Sequence, residues 1–465
     1  MSLVKLVDPI PSADLGRVHF IGIGGAGMSG IARILLKRGV PVSGSDARPS
    51  DILAELRDLG AAIQVGHAAS HIRDVDTVVV STAIRDSNPE LGEALRQNLR
   101  VIPRAAALAS VMAGRTGIAI AGTHGKTTTT SMLTVALQKC GEDPSYCVGG
   151  QLVTTGLGAD DGAGKVFVAE ADESDGSFLM LAPSIAVVTN VEADHLDNYG
   201  DPQAVYDGFA RFVERIGSLL VVCADDPGAA VLVPLARERG LTVVTYGEAP
   251  EADFRISGIV PRGLGVEFTV AGHGDVRLSV PGRHNAINAT AVIAVALHLG
   301  LRFDDVRAGL AAFTGAKRRF ESKGEARGVS VFDSYAHHPT ELTADLRAAR
   351  DVVNGDGRVI AVFQPHLYSR TRFFADEFGA ALGLADEVIV LDVYGAREDP
   401  EPGVSGALVA GKVPLPPDQV AYAPDRGAVP ALVAGRARAG DIVLTMGAGD
   451  VTELGPRIVA ELSAR

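Results

Sequence analysis

The chain predicts an α/β protein of three domains in series: N-terminal Rossmann-like, central P-loop ATPase-type α/β, and C-terminal Rossmann-like. Three observations carry this. Short apolar runs alternate with helix-compatible stretches along nearly the whole length, as parallel sheets with crossover helices require. Two glycine loops, Gly22–Gly30 and Gly122–Thr128, each follow an apolar run and open a helical pattern. The length of 465 residues is too great for one hydrophobic core, because domains hold roughly 100–200 residues.

The first unit reads as strand Val18–Ile23, helix Ser29–Arg38, strand Val42–Gly44, helix Ile52–Leu59, strand Thr77–Ser81 and a helix after Pro89, ending near Ser110. The second opens with strand Ile118–Ala121 and helix Thr127–Lys139. Strands Val166–Ala169, Ile185–Thr189, Leu219–Cys223 and Val243–Tyr246 follow. Phe254–Val280 alternates apolar and polar residues between glycine turns, which predicts antiparallel strands, and helix Ala286–Leu299 closes the unit. Phe313–Glu325 is basic and lacks apolar periodicity, so it reads as a linker. Strands Val329–Asp333, Val359–Phe363, Glu387–Leu391 and Ile442–Thr445 make a third α/β unit. The expected domains are residues 1–112, 113–315 and 316–465.

A composition of 47% hydrophobic and 21% charged residues is that of an ordinary globular protein. The formal charge of −13 argues against a nucleic-acid partner, since such proteins need Lys and Arg to displace counterions. Cys140, Cys147 and Cys223 show neither metal-ligand spacing nor a disulfide framework. No run has the roughly 18–20 apolar residues of a membrane span, and Met1–Arg17 lacks a signal-peptide core. The expectation is a cytoplasmic protein with no membrane partner.

The second glycine loop is the stronger chemical signal. In Gly122-Thr123-His124-Gly125-Lys126-Thr127-Thr128, the glycines turn backbone N–H groups toward an anion. The helix start adds partial positive charge, Lys126 reaches terminal phosphates, and the Thr127 hydroxyl suits Mg²⁺. The strict motif wants a glycine at Ile120, yet the strand–turn–helix setting supports a nucleoside triphosphate. Two acidic clusters, Glu170–Asp175 and Asn190–Asp197, sit at predicted strand ends, where open α/β sheets bind ligands. Mg²⁺ takes oxygen donors of this kind.

The first loop, Gly22, Gly24, Gly25, Ala26, Gly27 and Met28, has Asp46 downstream at the next strand end. Alone this is an NAD fingerprint. Its physics specifies only a diphosphate on a helix N-terminus, which a UDP-sugar also supplies. With a separate triphosphate loop downstream, a hydride carrier has no job, and a nucleotide-diphosphate substrate is the better match.

These segments, with Gly282–Asn285, Arg318–Phe320, Tyr335–Thr340 and Phe363–His366, resemble the Mur ligase family over essentially the full length. The resemblance implies ATP-dependent joining of L-alanine to the lactyl carboxylate of UDP-N-acetylmuramate through an acyl phosphate, in peptidoglycan precursor synthesis. It makes the first loop and Asp46 the UDP site, and ATP with Mg²⁺ the cofactors. Gly122, Thr123, His124, Gly125, Lys126, Thr127 and Thr128 then hold ATP, with Asn285 and Arg319 on the adenine side and Asp333 on the ribose. Thr127 and Glu170 take one metal ion, and His195 a second. His337, His338, His366 and Arg370 surround the reacting carboxylate and the amino acid. The third domain is expected to close over the site. Ser334 stands where the family often has a second Asp, and Leu367 where an Arg is frequent.

Overall fold

A computed structural model describes residues 6–353, 355–396 and 398–465, with Asp197 described by its backbone alone. Of the N-terminal stretch read above for a signal core, residues 1–5 lie outside the described residues. The first sheet holds β1 (Val18–Ile21), β2 (Val42–Asp46), β3 (Ala62–Val65), β4 (Thr77–Val80) and β5 (Arg100–Pro103). All pair in parallel, in the order β3-β2-β1-β4-β5. The order reverses between β1 and β4, so a crevice opens beyond the end of β1, where the first glycine loop lies.

The second sheet has β6 (Thr116–Ala121), β7 (Ser145–Cys147), β8 (Ala159–Asp160), β9 (Val166–Glu170) and β10 (Ile185–Val188). It continues with β11 (Leu219–Cys223), β12 (Thr242–Gly247), β13 (Phe254–Arg262), β14 (Gly265–Val270) and β15 (Gly274–Leu278). The order is β15-β14-β13-β12-β11-β10-β6-β9-β7-β8. Strand β6 therefore lies between β9 and β10, and the ends of those two strands flank the second glycine loop. The turn Gly263–Leu264 between β13 and β14 has only two residues, too few for a parallel crossover, so these neighbours run antiparallel as expected.

The third sheet is β16 (Glu321–Ala326), β17 (Val329–Ser334), β18 (Val359–Phe363), β19 (Glu387–Val390), β20 (Val420–Tyr422) and β21 (Ile442–Met446). Its order is β16-β17-β21-β18-β19-β20. Here the linker expectation is corrected in part: Glu321–Ala326 is an edge strand, antiparallel to β17. Edge strands carry polar residues that keep other chains from pairing with them, and that polarity reads like a linker.

Contacts divide the chain into two compact units, residues 1–257 with 270–274 and 287–312, and residues 258–269 with 275–286 and 313–465. The first sheet and β6–β12 belong to the former; the third sheet belongs to the latter. Within the first unit one hydrophobic core runs from Leu15 and Phe20 through Ala105–Ala109 to Phe178, Phe209 and Val222. The helix Arg104–Met112 joins the two sheets' cores, because all of Ala105–Met112 is buried and such a helix must be covered all round. A charged group is buried in the first sheet's domain as well. Glu90 is wholly inaccessible, with His71 Nδ1 at 2.6 Å, His67 Nδ1 at 3.4 Å, His19 Nε2 at 3.5 Å and the Ser45 hydroxyl donating to it. Burial opposes its charge, but His19, Ser45 and His71 outweigh that and hold the carboxyl at about 2. Among the described residues, no helix is long and apolar enough to cross a membrane.

Candidate active site

The first glycine loop is shaped by the end of β2. Gly22 turns with φ +81°, a conformation L side chains rarely adopt. The Gly22 and Ile23 N–H groups donate to Ser45 O at 2.8 and 3.0 Å, and Gly24 N–H donates to the Asp46 carboxylate at 2.9 Å. The helix Ala26–Lys37 begins at once, capped by Gly25, and its first N–H groups lack intrahelical acceptors. Gly25 and Ala26 are exposed and Gly27 is half-buried. Met28, also expected in this site, is buried in the core, where its side chain anchors the helix. Asp46 shapes the loop from beside it. The helix itself is bolted to β8, since Gly30 packs so closely that a Cβ would lie 2.8 Å from Ala159 Cβ. Lys37 pairs with Asp160 at 2.5 Å and Arg38 with Asp161 at 2.7 Å.

The second loop is closed more tightly. Gly122 has φ +130°, and a Cβ there would meet Thr189 Oγ1 at 2.0 Å. The residues just past β10 clamp the loop: Asn190 Oδ1 accepts from His124 N–H at 2.8 Å, while Thr189 Oγ1 donates to His124 O at 2.6 Å. Thr123 Oγ1 accepts from Glu192 N–H at 2.9 Å. The second acidic cluster is thus partly a scaffold for the loop; in it the side chain of Asp197 lies outside the described residues. Gly125, at φ +81°, starts the helix Lys126–Lys139, where Thr127 is buried and Thr128 half-buried.

Lys126 Nζ donates to Gly122 O at 2.7 Å, Thr123 O at 3.0 Å and Glu173 Oε1 at 2.9 Å. Burial opposes its charge, yet Glu173 and Asp172 outweigh burial and shift the ammonium upward. Burial pushes the Glu173 carboxyl up to about 7 against the pull of Lys126. The Thr127 hydroxyl donates to Glu170 Oε1 at 3.0 Å, and Gly149 N–H donates to Glu170 Oε2 at 2.7 Å. A hydroxyl and a carboxylate at the helix start are the hard donors a divalent cation takes, so Thr127 and Glu170 fit Mg²⁺. His195 faces a different carboxylate: its Nε2 lies 3.6 Å from Asp194 Oδ2 and 3.8 Å from Glu173 Oε1. Its φ of +55° is left-handed, a conformation that costs a non-glycine residue free energy.

The remaining expected residues lie in the second unit. Asn285 is buried and its amide donates to Pro281 O at 2.6 Å. Arg319 lies over the Tyr335 ring at 5.2 Å and 3.8 Å from Glu341 Oε1. Asp333 is wholly buried, accepting from Thr445 at 2.7 Å, Thr452 at 2.7 Å and Arg318 Nε at 3.2 Å. A ribose contact at Asp333 would require exchange of those bonds. His337 Nδ1 lies 2.9 Å from Tyr335 O and must donate to that carbonyl. His337 also meets the His366 ring at 5.9 Å, and His366 stacks on Tyr394. His338 caps the helix Pro339–Val352 and packs on Phe374, and Arg370 is buried in the helix Tyr368–Phe373. Ser334 has its own carboxylate partner: the hydroxyl donates to Asp345 and accepts from Ala336 N–H at 3.0 Å. Burial raises the Asp345 carboxyl to about 6. Leu367 holds φ +68° directly after His366.

The sequence offered Glu173 and Asn190 only as members of the two acidic clusters, and gave Thr189 no role. Asn190 is the second residue beyond β10, and that position at a strand end was its only signal. Glu173 was hidden among neighbouring acids.

Three family models match the chain: Mur ligase family, catalytic domain, over residues 17–116; Mur ligase middle domain over 120–296; and Mur ligase, glutamate ligase domain over 318–449. A UDP-N-acetylmuramate–L-alanine ligase of Thermobifida fusca (strain YX) is 60% identical, covering 99% of this chain and 100% of that one. One of Acidothermus cellulolyticus is 56% identical, with 98% and 97% covered. The solved UDP-N-acetylmuramate-alanine ligase of Thermotoga maritima superposes with TM-score 0.79 at 28% identity, covering 96% of this chain and 99% of that one.

Proposed function

The chain belongs to the Mur ligase family, and from that premise we propose that it joins L-alanine to the lactyl carboxylate of UDP-N-acetylmuramate. ATP supplies the driving force, through an acyl phosphate, with release of ADP and phosphate, in peptidoglycan precursor synthesis. The observation that carries the reading is the second loop: Lys126 at a helix start, beside Glu173, with Thr127 and Glu170 hydrogen-bonded to each other.

The chemical difficulty is that carboxylate and γ-phosphate are both anions. In this reading Gly122–Thr128 cradle the triphosphate, and Lys126 turns from the loop carbonyls to the phosphate oxygens, lowering the repulsion where charge develops. Thr127 and Glu170 would hold a Mg²⁺ ion, with His195 at a second; such ions supply further neutralising charge. Asn285 and Arg319 are assigned to the adenine side and Asp333 to the ribose. His337, His338, His366 and Arg370 are assigned to the carboxylate and the amino acid. The incoming amine must lose a proton, and histidine is the side chain poised for that near neutral pH. The first loop takes the UDP diphosphate on its helix start. The reading also has the third domain close during turnover, which small-angle scattering would register as a smaller radius with an ATP analogue and UDP-N-acetylmuramate. The reaction belongs in the cytoplasm, which holds ATP and keeps thiols such as Cys147 and Cys223 reduced.

The test is to incubate the chain with ATP, Mg²⁺, UDP-N-acetylmuramate and one amino acid or tripeptide at a time, measuring phosphate and amide product. Phosphate release that needs both UDP-N-acetylmuramate and L-alanine is the expected result. Release with a tripeptide but not L-alanine, or hydride transfer from NADH without ATP, would overturn it.

A further inference from the structure

The first loop has a neighbour that the reaction above leaves unused. Arg104 opens the buried helix Arg104–Met112, and its side chain lies along the start of the helix Ala26–Lys37. A Cβ on Gly27 would stand 3.0 Å from Arg104 Cδ and 3.1 Å from Nη1, so the glycine at this position makes room for the arginine. At its far end Arg104 Nη2 lies 3.7 Å from Asp172 Oδ2, in the acidic cluster beside Lys126. The arginine side chain is 26% exposed and the aspartate 42%. A pair that long and that wetted contributes little, so Asp172 does not account for a guanidinium laid against Gly27. A guanidinium is a permanently charged fork of five N–H donors that matches phosphate oxygens two at a time, and here it stands beside the N–H groups of a helix start.

We propose that Arg104 is a ligand of the UDP-sugar's diphosphate, leaving its weak pairing with Asp172 for phosphate oxygens at Gly25–Gly27. The proposal rests on the UDP-sugar reading and adds to it a side-chain contact that the glycine motif does not contain. The backbone N–H groups orient the diphosphate; Arg104 supplies the full positive charge. Lysine is a poor substitute, since an ammonium is a point charge without the fork.

The test is calorimetric titration of the full chain with UDP, uridine and UDP-N-acetylmuramate, in wild type, Arg104→Ala and Arg104→Lys. Arg104→Ala should weaken UDP about ten- to hundredfold, the range of a charge-assisted bond, and leave uridine unchanged. Arg104→Lys should recover only part, and added salt should weaken UDP more steeply in wild type than in Arg104→Ala. In turnover, KM for UDP-N-acetylmuramate should rise while KM for ATP stays within about twofold. Arg104→Gln carries the same comparison if the alanine variant does not melt cooperatively. Wild-type affinity for UDP in Arg104→Ala overturns the proposal. So does equal weakening of uridine and UDP, which marks a merely structural role, and so does weakening confined to UDP-N-acetylmuramate, which puts Arg104 on the sugar's carboxylate. A wild-type chain that binds neither UDP nor UDP-N-acetylmuramate removes the UDP-sugar reading itself, and the proposal with it.

Discussion

The two glycine loops share a plan and differ in how they are held. Each leaves a parallel strand and opens a helix, and each has its backbone fixed by the end of a neighbouring strand. The first is fastened by Ser45 and Asp46 and shows Gly25 and Ala26 to solvent. The second is clamped by Thr189 and Asn190 and closed over by its own lysine, which binds two loop carbonyls and Glu173. The difference teaches that one motif physics serves two tasks. In the proposed reading, the open loop with no lysine holds a diphosphate that stays intact. In the same reading the loop with an internal cation, its charge favoured by nearby acids, handles a phosphate that is transferred.

The sharpest break in this comparison is Lys126→Ala. Removing the cation from the second loop should lower kcat by at least about a thousandfold, with UDP-N-acetylmuramate affinity nearly unchanged; phosphate release and a binding titration measure the two. Near-normal turnover would remove the assigned division of labour. Next in size is Glu90, whose hydrogen bond to Ser45 lies under the first loop. Its carboxyl is held down at about 2, so its contribution is present above the ordinary carboxylate value and lost as pH falls from about 4.5 toward 2. Glu90→Gln should cost roughly 3 kcal/mol at neutral pH and flatten that acid slope, as denaturant unfolding across pH would report. Asp46→Ala should loosen Gly24 and weaken UDP about tenfold, the order of one charged hydrogen bond, while KM for ATP holds.

The smallest effect is expected at Glu173. Burial raises its carboxyl to about 7, so it is neutral below that pH and becomes a competing anion above it. The value of kcat/KM for ATP should therefore decline a few-fold, in order of magnitude, as pH rises through about 7. Glu173→Gln should abolish that bend. A bend that persists in the variant assigns the titration elsewhere.

Legibility from sequence followed burial. Strands such as β10, β11 and β18 are buried throughout, as is β6 beyond its first residue, and they announced themselves as apolar runs. β3 and β5 escaped because they are sheet edges with exposed residues; β16, polar and also at an edge, passed for a linker. β7 and β8 are only three and two residues long, too short for any period. Both glycine loops were legible, since motif spacing places them, whereas the pairing of Thr127 with Glu170 came from the family resemblance. Glu173 beside Lys126 and Arg104 beside Gly27 were not legible, because each meets its partner across dozens of residues of chain. The departure at Ser334 became intelligible only when Asp345 was seen on the next helix, taking the hydroxyl's hydrogen bond.

Local chemistry settles the kind of protein this is: glycines before helices, a lysine and threonine at one helix start, and acids after apolar strands are constraints between near neighbours, so they are written in order along the chain. Which acid faces Lys126, which carboxylate shapes the first loop and which arginine crosses it are settled by sheet order and helix packing. Those bring distant residues within a few ångströms, a range at which desolvation and charge, rather than motif, decide what each group does.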